Sequence, residues 1–105
     1  MKKQDKGKDR ILIFGNGQLG NFYLNHFTTD GIRCEITKAD ITEIAQIKNS
    51  VSSFKPTVVI NTAAKTNLEW CAQNKLKAFE VNVLGADNIA QICDQRGVYF
   101  IHFSS

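Results

Sequence analysis

A chain of 105 residues, 43% hydrophobic and 22% charged, has the size and composition of one globular domain and is short for an enzyme with a separate substrate lobe. Its formal net charge of +3 arises within residues 1–10, where Lys2, Lys3, Lys6, Lys8 and Arg10 outnumber Asp5 and Asp9. No aromatic residue interleaves with that basic stretch and no apolar run reaches the length of a membrane span or a signal-peptide core, so neither a nucleic-acid nor a membrane partner is expected.

Residues 1–9 read as a basic flexible tail ahead of a single domain over 10–105. Ile11-Leu12-Ile13-Phe14 is a continuous apolar run, the pattern of a strand buried on both faces of a parallel sheet. Gly15-Asn16-Gly17-Gln18-Leu19-Gly20 follows at once. A helix is predicted from about Gln18 to Thr28, with Leu19, Phe22, Tyr23 and Phe27 on one face, ended by Asp30-Gly31. Residues 32–37 alternate apolar and polar, which suits a strand toward the sheet edge. Asp40 and Glu43 have capping-box spacing for a second helix carrying Ile44, Ile47, Val51 and Phe54, which Pro56 stops.

Thr57-Val58-Val59-Ile60-Asn61 is a third strand. A helical region is predicted from about Leu68 to Arg96, with a break near Asn74. Ala78, Val81, Asn82, Ile89 and Ile92 would form its sheet-facing stripe, and Gly97 would be its C′ residue. Residues 98–103 form the fourth strand. Alternating strands and helices with right-handed crossovers give an α/β fold of the Rossmann type. Its parallel sheet of about four strands, in order 2-1-3-4, carries helices on both faces, and its ligand crevice lies at the carboxyl ends of the first and third strands.

The glycine string sits where a dinucleotide fingerprint must sit, after a strand and opening a helix. Gly15 permits a tight turn, Gly17 leaves room for a pyrophosphate against the backbone, and Gly20 brings the helix close to the sheet. The amides near Gln18 and Leu19 and the positive helix end would face the phosphates. A nicotinamide dinucleotide, NADP or NAD, is therefore the expected ligand. Glu35, 20 positions after Gly15, is the candidate for the adenosine ribose hydroxyls, while Lys38 could meet a 2′-phosphate, so the choice of dinucleotide stays open. Asp40 could cap its helix, face the adenine, or both. Cys34, Cys71 and Cys93 are odd in number and form no Cys-x-x-Cys pair, so no metal site and no disulfide are expected, and a reducing cytoplasm is the expected location.

Several segments in one order carry a resemblance: Gly-Asn-Gly-Gln-Leu-Gly (15–20), Asp-Ile-Thr (40–42), Lys-Pro-Thr-Val-Val-Ile-Asn-Thr-Ala-Ala (55–64), Val-Asn-Val-Leu-Gly (81–85) and Ile-His-Phe-Ser-Ser (101–105). The set resembles the extended short-chain dehydrogenase/reductases, and within them the RmlD-like dTDP-4-dehydrorhamnose reductases. The resemblance implies that Gly15, Gly17 and Gly20 hold the pyrophosphate and that Asp40 and Ile41 contact the adenine. It places Ala63 and Ala64 along the nicotinamide ribose with Lys65 just beyond, and makes Ser105 the catalytic hydroxyl that polarises a 4-keto oxygen. The loop here is one residue shorter than the family's usual Gly-x-x-Gly-x-x-Gly. Lys65 stands where the family has an aromatic, and Ala72 where it has an acid.

The family's Tyr-x-x-x-Lys pair supplies the proton in reduction, yet Tyr23 and Tyr99 are followed four positions on by Phe27 and Phe103. The expected function is therefore the dinucleotide-binding part of a reductase in dTDP-rhamnose biosynthesis, inactive alone. A dTDP-sugar would be a partner only if a second polypeptide supplied the missing lobe. A non-catalytic regulatory module and a truncated gene product are the alternatives. The exposed edge of the fourth strand suggests a homodimer.

Overall fold

The computed structural model describes residues 8–63 and 72–103. In chain order its elements are β1 (Arg10–Phe14), α1 (Gln18–Thr29), β2 (Arg33–Thr37), α2 (Ile44–Phe54), β3 (Val58–Asn61), α3 (Lys75–Arg96) and β4 (Tyr99–His102). The four strands form one parallel sheet in the order β2-β1-β3-β4, the order and fold class that the crossover rule predicts.

The apolar run of β1 is explained by its place between two neighbours and two helical layers. Ile13 and Phe14 are fully buried. Ile11 and Ile13 point to one face, where they meet Cys34, Ile60 and, from α1, Tyr23, Leu24 and Phe27. Leu12 and Phe14 point to the other, against Ile47, Val51 and Phe54 of α2 and Ile89, Ile92 and Cys93 of α3. β2, at an edge, alternates as expected, with Cys34 buried between exposed Arg33 and Glu35.

The inward face of α1 is rotated from the predicted one. Gly20, Tyr23, Leu24 and Phe27 face the sheet, while Leu19 and Phe22 are 42% and 60% exposed. The reason is Gly20, which brings the helix down onto the sheet and thereby selects the residues at its own angular position. Phe22 instead stacks on His26 with ring centroids 6.3 Å apart.

The predicted capping box at Asp40 and Glu43 is not what opens α2. Glu43 is itself the N-cap, with no side-chain cap hydrogen bond. Asp40 accepts at Oδ1 from the Thr42 amide (2.9 Å) and the Thr42 hydroxyl (2.7 Å), an Asx turn that closes before the helix starts. Lys55, at φ 55°, ends α2 in the left-handed conformation, with its amide on Val51 O and Pro56 beyond.

α3 begins after Asn74, where the break was predicted; the expected start near Leu68 lies outside the described residues. Its buried side is Ala78, Gly85, Asn88, Ile89, Ile92 and Cys93, with Val81 and Asn82 only half-buried at its margin. Gly97 (φ 66°) caps it as predicted, and the Val98 amide reaches back to Cys93 O at 2.8 Å. On the α1 side of β4, Tyr99 and Ile101 remain 68% and 37% exposed.

Candidate functional site

The carboxyl ends of the strands stand level. Phe14 pairs with Thr37 on one side and Asn61 on the other, and Asn61 pairs with His102. The chain leaves β1 into the glycine loop and β3 into Thr62-Ala63, and these two exits touch. The Thr62 amide donates to Phe14 O at 2.8 Å, and the Thr62 hydroxyl donates to the same oxygen at 2.9 Å.

Each loop glycine has its own physical basis. Gly15 sits at φ 110°, and a Cβ there would strike Thr62 Oγ1 and lie 2.6 Å from the Ala63 nitrogen. At Gly20 a Cβ would collide with Gly15 O. Gly17 has an ordinary φ of −94°, and a Cβ there would meet nothing within 4 Å. No contact among the described residues therefore demands glycine at 17.

The first helical hydrogen bond of α1 runs from the Asn21 amide to Gly17 O at 3.1 Å. Helix geometry leaves the amides of Gln18, Leu19 and Gly20 without an intrahelical acceptor, no side chain caps them, and the first turn holds no acid to offset the positive end. The Asn21 side chain braces the turn, donating to Gly17 O at 2.9 Å and Asn16 Oδ1 at 3.3 Å. Asn16, Gln18 and Leu19 are exposed. Three unspent donors at an open helix end fit a phosphate.

Asp40 and Ile41 follow β2 at the same edge of the sheet. The Ile41 side chain is buried, and its carbonyl accepts from Asn88 Nδ2 of α3 at 3.0 Å. Asp40 and Thr42 line a cleft of about 510 Å³ with Lys77, Glu80 and Leu84 of α3. Glu35 is not brought to the loop. It stands level with Leu12, two residues before the strand end, and lines a groove of about 370 Å³ with Lys38, Asn49 and Ser50. The position facing the end of β1 belongs to Thr37, whose hydroxyl is engaged with Ser50 Oγ at 2.7 Å.

Ala63 is half-buried, with its amide on Asn61 Oδ1 at 3.0 Å. Ala64, Lys65 and Ser105 lie outside the described residues. Two site residues escaped the reading of the sequence. Asn61 is fully buried, and its amide nitrogen lies 3.1 Å from His102 Nδ1. Thr62 is the other. Their signal was a polar pair directly after four residues rich in β-branched apolar side chains. Among the described residues no group of three His, Cys, Asp or Glu could hold a metal ion, and no helix is long and apolar enough to cross a membrane. The thiols of Cys34 and Cys93 are pushed up to about 11 by burial, with the charge of Glu35 adding to the effect at Cys34.

The chain is similar to known sugar-nucleotide enzymes over most of its length. A dTDP-4-dehydrorhamnose reductase from Aggregatibacter actinomycetemcomitans is 30% identical over 101 residues, covering 91% of this chain and 34% of that protein. A trifunctional UDP-glucose 4,6-dehydratase/UDP-4-keto-6-deoxy-D-glucose 3,5-epimerase/UDP-4-keto-L-rhamnose-reductase of Arabidopsis thaliana is 30% identical over 105 residues, 96% of this chain and 16% of that one. The crystal structure of dTDP-4-dehydrorhamnose reductase from Bacillus anthracis in complex with NADP superposes with a TM-score of 0.80 at 28% identity, covering 89% of this chain and 35% of that chain. The chain thus spans about a third, or less, of the length of these relatives. The family model described as RmlD substrate binding domain matches residues 9–105, and the chain belongs to that family.

Proposed function

We propose that residues 10–105 form the dinucleotide-holding domain of an RmlD-type reductase, behind a basic tail at 1–9, and that the loop Gly15–Gly20 takes the pyrophosphate. The observation that carries this reading is Gly17. Gly15 and Gly20 are required by the fold itself, whereas Gly17 meets nothing among the described residues and stands beside three helix amides with no intrahelical acceptor. A glycine that the protein does not need marks a place where something else must approach the backbone.

When bound, a reduced nicotinamide supplies a hydride. The residues here bind and orient: Gly15, Asn16, Gly17, Gln18, Leu19 and Gly20 at the pyrophosphate, Asp40 and the main chain of Ile41 at the adenine, and Ala63, Ala64 and Lys65 along the nicotinamide ribose. Lys38 directly follows the strand-end residue Thr37, where a ribose-binding acid would otherwise stand. That placement favours NADPH over NADH and replaces Glu35 as the ribose-reading position. Ser105 is the hydroxyl proposed to polarise the 4-keto oxygen of a dTDP-sugar. The 105 residues contain no Tyr-x-x-x-Lys, so turnover requires a further segment or polypeptide that supplies the proton donor and the sugar lobe.

The test is titration of the 105-residue chain with NADPH and NADH by calorimetry or nicotinamide fluorescence. Saturable binding, tighter for NADPH, is expected, and Lys38→Ala should remove the preference. No binding of either at millimolar concentration overturns the reading.

A second copy of the chain is the proposed partner at the β4 edge, where Tyr99 and Ile101 are exposed on a strand whose outer edge has no neighbour among the described residues. Sedimentation velocity should show a dimer that Tyr99→Lys disrupts; a monomer at all concentrations refutes it. The buried, unpaired thiols of Cys34 and Cys93 suit the proposed cytoplasmic location.

A further inference from the structure

We infer that Thr62 is the positioning residue of the pyrophosphate loop, an inference that rests on the reading of that loop as a dinucleotide site. Three observations converge on its hydroxyl. It donates to Phe14 O at 2.9 Å and lies 3.4 Å from Gly15 O, so it holds the carbonyls on both sides of the Gly15 α-carbon. It occupies the room that Gly15 leaves by lacking a Cβ. It also lies 3.1 Å from where a Cβ of Gly20 would be. The two structural glycines of the loop thus flank one threonine at the exit of β3.

The consequence reaches the amides that face the phosphate. Gly20 rests on Gly15 O, so the orientation of that carbonyl sets how α1 seats against the loop. Phe14 O already accepts the Thr62 amide, and the second bond from the hydroxyl defines the rotation of the Phe14–Gly15 unit about that anchor. Without the hydroxyl, Gly15 has the conformational freedom of a glycine and little to hold it at φ 110°. The amides of Gln18 and Leu19 then converge on a phosphate only after an ordering cost that the threonine otherwise removes.

Thr62→Val keeps the shape and removes the hydroxyl; Thr62→Ser restores the hydroxyl with less bulk. The probes are NADPH, which contains the pyrophosphate, and adenosine 2′-monophosphate, which carries the adenosine and 2′-phosphate but no phosphate at the 5′ position. Thr62→Val is expected to weaken NADPH binding about tenfold, the scale of one lost hydrogen bond of this kind, to leave adenosine 2′-monophosphate within about twofold, and to be rescued by Thr62→Ser. Amide hydrogen exchange at Asn21 and at residue 62, whose amides donate to Gly17 O and Phe14 O, should quicken in Thr62→Val without ligand. Equal losses for both probes mean a general structural defect and overturn the inference. So does NADPH binding unchanged by Thr62→Val, with the dinucleotide reading left intact. Failure of the unmutated chain to bind NADPH overturns the parent reading and this one with it.

Discussion

The side chain of Ile41 fills the space that Gly85 leaves by having none. A Cβ on Gly85 would run into the end of that side chain and come within 3.1 Å of the Ile41 Cβ, and one turn further along α3 the Asn88 amide donates to Ile41 O at 3.0 Å. The Asp40-Ile41 corner is therefore held by α3 from both its side chain and its main chain.

Gly85→Ala tests this lock because two effects oppose each other. Glycine to alanine in a helix ordinarily gains about 1 kcal/mol. Forcing a methyl into the packed Ile41 costs about 1–3 kcal/mol. The clash should win, leaving Gly85→Ala about 1 kcal/mol less stable by urea denaturation, with adenosine binding weakened as Asp40 shifts. A higher midpoint would show that Ile41 gives way freely.

The three loop glycines should separate cleanly. Gly17→Ala should lose at most about 1 kcal/mol, the cost of alanine at a helix N-cap, since its φ is ordinary and its Cβ meets nothing among the described residues, yet bind NADPH more than tenfold more weakly, because the methyl stands where a phosphate oxygen would. Gly15→Ala and Gly20→Ala should lose stability, by about 2 kcal/mol or more. Circular dichroism melts and dinucleotide titration on all three variants check the split; a stability loss at Gly17→Ala as large as at the other two would contradict it.

Asn61 offers a third test. Its buried amide meets Ala63 and His102 together, so Asn61→Leu leaves two polar partners unmatched and should cost about 2–3 kcal/mol. His102→Phe should cost about 1 kcal/mol. The double variant should be milder than the sum, since both remove one shared bond. Strict additivity in denaturation midpoints would show that the two side chains do not communicate.

Alkaline pH gives the fourth. The thiols of Cys34 and Cys93 ionise near 9.0 when unfolded but only near 11 when folded. The unfolded chain thus gains from losing these protons first. The stability that burial of the neutral thiols provides is complete below pH 9 and is lost as pH rises toward 11, by up to about 2 kcal/mol per thiol. The melting temperature should fall across that window, and Cys93→Ala, although less stable at pH 7.5, should show a shallower fall. Two of the three cysteines should label slowly with a thiol reagent at pH 8.

Much of the architecture was legible because it depends on patterns that one layer can enforce. An unbroken apolar run implies a central strand, and Ile11–Phe14 is one; a glycine after a helix implies a left-handed cap, and Gly97 is one. What escaped depends on a competing local turn at one place and on two segments meeting at the others. Asp40 has the spacing of a helix cap, but the nearer Thr42 offers its carboxylate both an amide and a hydroxyl, so the local turn wins. Glu35 has the right count from Gly15, but the register places it two residues short of the strand end. Leu19 and Phe22 share the spacing of a buried stripe, and only the close approach at Gly20 decides which face turns inward. Thr62 and Asn61 look like the tail of a strand until the carbonyls and the imidazole that engage them are in place.

The parallel pairing of β1 with β3 also sets an order in time. Ile11 pairs with Cys34 but also with Val58, 47 positions later, and the loop after β1 touches Thr62 beyond that strand. During synthesis the first strand–helix–strand unit can assemble early. The glycine loop, although among the first segments made, has no fixed shape until the third strand arrives. Until then β1 keeps one edge open, and long-range pairing of this kind is slow compared with helix formation. The nascent chain therefore displays its most apolar strand to chaperones or to other chains for as long as it takes to make residues 15–62.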